Sequence, residues 1–254
     1  MKKETAKKIL AYISSFVFIF LVWGLYATYI NAELILPSPA AVIKKMILLS
    51  GTPKLYINLA ATTGRVFVSF FIAVLFGTGT GILSSLSVFA KSFLQFPISV
   101  IRTTPVVALI LLALFWFNSS SVPVFVSVLM AFPVVHSAVE KGLSENASSE
   151  TEKLLSMAKL YNFNKKQIYK YILLPGCRPA FLSGLESCFG LCWKVTVAGE
   201  VLSLPRNACG SLLQKSQVHL ETDSVMAITI ILVLLSFLFQ NLLRLICKNW
   251  EVKN

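Results

Sequence analysis

Apolar residues occupy this chain in long blocks, and polar residues collect between them. Six blocks are long enough to cross a bilayer, at roughly 9–30, 58–86, 94–117, 120–140, 179–203 and 224–247, since a spanning helix needs about 20 largely apolar residues. The pattern predicts an all-α membrane protein with six transmembrane helices in a single domain over 1–254. Between the first two blocks, Ser38 can cap a helix with Pro39 at its first position. Apolar residues then recur at Ala41, Ile43, Met46, Ile47 and Leu48, which suits a helix lying along the membrane surface.

The longest polar interruption, 141–178, is basic and helix-forming. Leu154, Ala158 and Tyr161 recur at i, i+4 and i+7, giving a first helix one apolar stripe with Lys153 and Lys159 off it. Asn162 is placed to end that helix, because Asn tolerates the left-handed region better than other non-glycine residues. Asn164 followed by Gln167 has the form of a capping box for a second helix, and Pro175 is expected to stop it. On periodicity alone, the segment suits either a docking loop or an amphipathic helix lying on lipid.

Composition agrees with the block pattern. Hydrophobic residues make up 56% of the chain and charged residues 13%, with a mean hydropathy of +0.76, against about 25% charged residues in soluble domains. Lys2, Lys3, Lys7 and Lys8 precede the first block, but its apolar run exceeds the 7–15 residues of a cleavable signal core, so it reads as retained. An even helix count puts both termini on one side. With that side cytoplasmic, the inner segments carry the dense basic runs at both ends of the chain and through 141–178, and the outer ones hold Lys44, Lys45, Lys54, Arg206 and Lys215. Basic loops facing an anionic leaflet account for the net charge of +12 without a nucleic-acid partner.

Arg102, Glu186, Lys194 and Glu200 fall in or beside the blocks, where charges pair or line a cavity. Lys194 lies eight residues after Glu186 and six before Glu200, so neither is an i+3 or i+4 partner within the helix. These charges are therefore candidates either for structural pairing with other helices or subunits, or for a translocation pathway. Arg65 is near enough to an outer interface that snorkelling is expected. Gly77-Thr78-Gly79-Thr80-Gly81 lacks the Lys of a phosphate loop. Gly77 and Gly81 instead form a small-xxx-small face for close helix packing. The five cysteines show no metal-type spacing, and His136 and His219 stand far apart, which argues against a metal site. An intramembrane enzyme is disfavoured by the absence of His-Glu-x-x-His and Gly-x-Ser-x-Gly motifs.

The interruption also resembles the coupling loop of bacterial ABC importer permeases, whose pattern runs Glu-Ala-Ala, three residues, Gly, nine residues, Ile-x-Leu-Pro. Ala158, Ile172, Leu174 and Pro175 fall in register, while Ser156, Met157 and Asn162 replace the Glu, the first Ala and the Gly. Leu36-Pro37-Ser38-Pro39, Arg102-Thr103-Thr104-Pro105 and the stretch from Trp193 to Glu200 are similar in kind and order to the nitrate, sulfonate and taurine importer permeases. The resemblance implies a type I importer permease of the bacterial inner membrane, and a homodimer that receives a small anion or organic solute from an external binding protein. Ser156, Met157, Ala158, Tyr161, Asn162, Ile172, Leu174 and Pro175 would then dock on a separate ABC ATPase. That partner would use the ATP, leaving no cofactor and no enzymatic activity in this chain. The coupling-loop register also separates this reading from an ion-coupled secondary transporter, which needs no ATPase.

Overall fold

The computed structural model describes residues 2–144 and 149–252, and every regular element among them is helical. The chain opens with α1 (Lys2–Ile30), followed by a short α2 (Pro39–Ser50). The Ser38 side chain accepts from the Ala41 N–H at 3.2 Å, with Pro39 at the start of the helix, so the predicted cap is in place. Val42 is fully buried, while Ile43, Ile47 and Leu48 stay exposed. Lys45 reaches Glu221 and Asp223, at 3.6 and 3.5 Å, across the start of the last helix.

Next come α3 (Pro53–Leu86), α4 (Val88–Thr103), α5 (Val106–Trp116) and α6 (Val122–Gly142). The single span expected at 94–117 is not one straight helix: α4 and α5 meet at 102°. Pro105 has no N–H to continue α4, and the residue before a proline is pushed out of the helical region. Thr104 accordingly adopts ψ 129. Apolar runs flank the short Arg102-Thr103-Thr104-Pro105 break on both sides, which is why an averaged hydropathy reading joins the two pieces.

Beyond the segment at 141–178 lie α10 (Arg178–Ser203), α11 (Cys209–Val218) and α12 (Thr222–Val252), the intervening short helices α7 to α9 being described with the site. Among the described residues, Pro53–Leu86, Val122–Gly142 and Thr222–Lys248 are each long and apolar enough to cross a membrane, and the bent pair α4–α5 can supply a fourth crossing. The six crossings predicted from the blocks are therefore matched only in part by this criterion. α10 is long, but it carries Glu186, Lys194 and Glu200.

The core lies where α3, α6 and α10 pack together, with α12 against them. Val66, Phe70 and Ala73 of α3 meet Val135 and Val139 of α6, and Cys188, Phe189, Cys192 and Trp193 of α10. Phe70 meets Phe189 edge-on at 5.4 Å, and Phe67 meets Phe239 of α12 at 5.3 Å. The glycine face of α3 makes the α3–α6 approach possible. A Cβ on Gly77 would lie 2.6 Å from the Val135 Cβ, and one on Gly81 would lie 2.7 Å from the Val139 Cβ; at Gly79 it would meet nothing within 4 Å. None of the five cysteines forms a disulfide and all are buried, so they act as small packing residues.

Candidate functional site

The segment between α6 and α10 forms a helical hairpin. α7 (Ser149–Leu160) ends at Asn162, which stands at φ 55 in the left-handed region. The Phe163 N–H reaches back to the Ala158 carbonyl at 2.9 Å, the six-to-one bond of a Schellman turn. The capping box then closes reciprocally: Gln167 N–H to Asn164 Oδ1 and Asn164 N–H to Gln167 Oε1, both at 2.9 Å. This starts α8 (Lys165–Ile168), which widens into a π-helical turn (Tyr169–Leu173) and continues as α9 (Leu174–Gly176).

Pro175 does not stop the second helix. The Leu174 N–H bonds to the Tyr169 carbonyl, five residues back, and the Cys177 N–H bonds to Leu173 at 2.9 Å. The wider turn makes room for the proline ring, so the chain runs on almost directly into α10.

The buried stripe of α7 also differs from the predicted one. Leu155, Ala158 and Ile172 form a small core with Ile168 and Leu173, whereas Leu154 and Tyr161 are 44% and 74% exposed. The inward face is Thr151, Leu155 and Ala158, again at i, i+4 and i+7. Thr151 is polar but buried, which hid this stripe from an apolar-only count. Ala158 and Ile172 thus hold the hairpin together, while Met157, Tyr161 and Leu174 face outward and Pro175 is exposed. Ser156, also exposed, donates to the Glu152 carbonyl at 2.9 Å. Leu160 and Phe163, absent from the predicted set, extend the outward apolar row.

The membrane-depth charges separate into two kinds. Glu200 is fully buried and accepts three hydrogen bonds: Arg65 at 2.7 Å, the Thr62 hydroxyl at 2.8 Å and the Gly210 N–H at 3.1 Å. Arg65 also donates to the Asn207 carbonyl at 2.9 Å, and the Cys209 N–H bonds to Thr62 at 3.0 Å. Arg65 therefore does not snorkel; its partner lies 135 residues further along the chain. The cluster clamps the α10–α11 connection onto α3, and that connection contains Leu204 at φ 52, a conformation that costs an L-residue about 1–2 kcal/mol. Arg102 donates to the Pro133 carbonyl at 2.6 Å and to the Ser137 hydroxyl, which pins the last turn of α4 to α6.

A further polar chain joins Thr80, His136, Glu140 and Lys91. Thr80 and His136 Nδ1 are 3.0 Å apart, His136 Nε2 and Glu140 are 3.3 Å apart, and Glu140 and Lys91 are 3.0 Å apart. The Glu140 carboxylate only accepts, so His136 Nε2–H donates to it, and Nδ1 stands against the Thr80 hydroxyl. The chain works as a tie between α3, α6 and α4.

Lys194 behaves differently from Arg65, Arg102 and Glu200. It is exposed and forms no ion pair with Glu186, Glu200 or any other described residue. Instead it lines a cavity of ≈ 420 Å³ between α10, α11 and α12. Glu186 lines a second cavity on the α10–α12 seam, of ≈ 610 Å³, together with Arg244 and Lys248.

Comparison with known proteins agrees with this architecture. Residues 69–251 match the family described as binding-protein-dependent transport system inner membrane component. The chain is 27% identical over 225 residues to the taurine transport system permease protein TauC of Escherichia coli (strain K12), covering 86% of this chain and 80% of TauC. It is 30% identical over 158 residues to the nitrate import permease protein NrtB of Leptolyngbya laminosa, covering 61% of this chain and 54% of NrtB. An inward-facing structure of the MetNI methionine ABC transporter shares the fold at a TM-score of 0.64 and 16% identity, covering 77% of this chain and 95% of that one. With the family matched across most of its length, the chain belongs to the binding-protein-dependent transport system inner membrane components, the permease subunits of ABC importers.

Proposed function

We propose that two copies of this chain form the membrane pathway of an ATP-driven importer for a small anion of the sulfonate or nitrate kind. An external binding protein delivers the solute, and two separate ATPase subunits supply the work. In this reading both termini and the 141–178 segment are cytoplasmic. The six crossings are α1, α3, the bent pair α4–α5, α6, α10 and α12. The substrate class is supported by relatives that carry taurine and nitrate, both small anionic or anion-bearing solutes.

The observation that carries the ATPase assignment is the hairpin. Its own core consumes Leu155, Ala158 and Ile172, yet it leaves Leu154, Met157, Leu160, Tyr161 and Phe163 turned outward. An amphipathic helix with a second apolar face fits a groove on another protein. The π-turn run from α8 to α10 makes a nearly continuous connection from that face into the membrane core, suited to conveying movement of a partner to α10.

The test replaces Met157 with Asp and Tyr161 with Asp, which places charges on the outward face without entering the hairpin core. Copurification of the ATPase and binding-protein-stimulated ATP hydrolysis should both fall at least tenfold in the double variant. If copurification and stimulation are unchanged, the hairpin is not the coupling element.

A further inference from the structure

α10 is 26 residues long, about 39 Å at 1.5 Å per residue. Lys194 lies sixteen residues after Arg178 and nine before Ser203, about 24 Å and 14 Å along the axis. With α10 centred in a hydrocarbon core of about 30 Å, its Cα sits roughly 10 Å inside the nearer boundary. A lysine stem of about 6 Å does not cover that distance, so the ammonium cannot simply snorkel out. An unpaired lysine facing lipid near mid-helix costs about 2.5–3.5 kcal/mol even on the mildest scale.

The surroundings show what offsets that cost. The cavity that Lys194 shares with Trp193 is walled on the other side by Thr229, Ser236 and Gln240 of α12. These three are at i, i+7 and i+11, one polar stripe about 17 Å long on a helix whose stretch from Val225 to Phe239 is otherwise apolar. Thr229 already donates to the Val225 carbonyl at 2.7 Å. Ser236 and Gln240 form no side-chain hydrogen bond among the described residues, so a hydroxyl and an amide N–H₂ are free to donate into the cavity. No carboxylate lines it. Its ≈ 420 Å³ lies within the range of small-molecule sites, about 300–1,000 Å³.

We infer that this groove is an anion station within the membrane pathway. The Lys194 ammonium supplies the charge, and Ser236 and Gln240 supply hydrogen-bond donors to the oxygens of a sulfonate-like or nitrate-like group. A lone ammonium with two neutral donors attracts an oxyanion without trapping it, as a pathway requires. The Glu186, Arg244 and Lys248 cavity lies further along the same two helices toward the hairpin end, where two cations stand beside one carboxylate. This inference rests on the importer reading and adds to it the chemistry and place of the solute.

The test uses the full chain copurified with its ATPase. A Ser236→Cys variant, in a background whose five native cysteines are replaced, is treated with an anionic sulfonatoethyl and a cationic trimethylammonioethyl methanethiosulfonate. The anionic reagent should react faster, relative to each reagent's rate with a free thiol. Adding Lys194→Met should cut the anion-to-cation rate ratio at least fivefold, and Lys194→Arg should preserve it. Failure of the introduced thiol to react with either reagent, or an unchanged ratio in Lys194→Met, overturns the inference. So does loss of the dimer in Lys194→Met, which would assign the lysine to a carboxylate of a second copy. Absence of a copurifying ATPase in the parent protein would remove the importer reading instead, an outcome separate from the rate ratio.

Discussion

Replacing Arg65 with Met should destabilise the protein more than replacing Glu200 with Gln, although both changes break the same ion pair. The structure gives the reason. The Glu200 side chain is 0% exposed, whereas that of Arg65 is 15% exposed and has a second acceptor in Asn207. Without Arg65, a carboxylate is left in a dry site with only the Thr62 hydroxyl and the Gly210 N–H, and stranding a buried charge costs about 3–5 kcal/mol. Glu200→Gln keeps an acceptor for those two donors and leaves Arg65 its carbonyl and partial access to water, so its cost should be nearer 1–2 kcal/mol. The double variant should lose much less than the sum, because no charge then remains to strand. At about 2–4 °C per kcal/mol for a chain of this size, Arg65→Met should lower the unfolding midpoint of the detergent-solubilised protein by roughly 6–20 °C. Adding Glu200→Gln should recover most of that loss. Strict additivity of the two single effects, or a Glu200→Gln loss equal to that of Arg65→Met, would refute the reasoning.

Two further outcomes follow from backbone geometry. Asn162→Gly should keep ATPase coupling, because Gly takes φ 55 freely, while Asn162→Val should cost about 1–2 kcal/mol in the hairpin and lower stimulated ATP hydrolysis. Gly81→Ala should cost about 1–3 kcal/mol by forcing α3 off α6, whereas Gly79→Ala, which meets nothing within 4 Å, should leave the melting midpoint unchanged or slightly raised.

The features legible in the sequence are those set by neighbours along the chain. The Ser38 cap, the Asn162 turn and the Asn164–Gln167 box depend on residues within a few positions of one another, and all three are present. The close glycine face at Gly77 and Gly81 was legible for the same reason, as one helix repeat. Where a local rule competed with an averaged one, the averaged rule misled: hydropathy ran through Thr104-Pro105, although a proline there is enough to turn the chain by 102°. Thr151 hid the buried stripe of α7 by the same kind of averaging over residue type. Pro175 misled in the opposite direction, because a π-turn can relieve the clash that would otherwise end a helix.

The charged residues carry the functional argument furthest, because the sequence treats alike groups that the fold separates. Arg102, Glu200 and Lys194 all lie in or beside apolar blocks, and each is costly there if left without partners. Folding brings Glu200 three donors, from α3 and from the first turn of α11, and brings Arg102 two acceptors on α6. Their cost is met within the chain, where they register one helix against another. For Lys194, on the same helix as Glu200 and six residues before it, folding supplies a cavity with free donors and no carboxylate. A membrane-depth charge is informative about transport only after such intrachain pairing has been subtracted. Glu186, which also forms no ion pair among the described residues, shares its cavity with Arg244 and Lys248. No opposite charge lines the cavity of Lys194, so its electrostatic requirement is left to be met by an anion passing through.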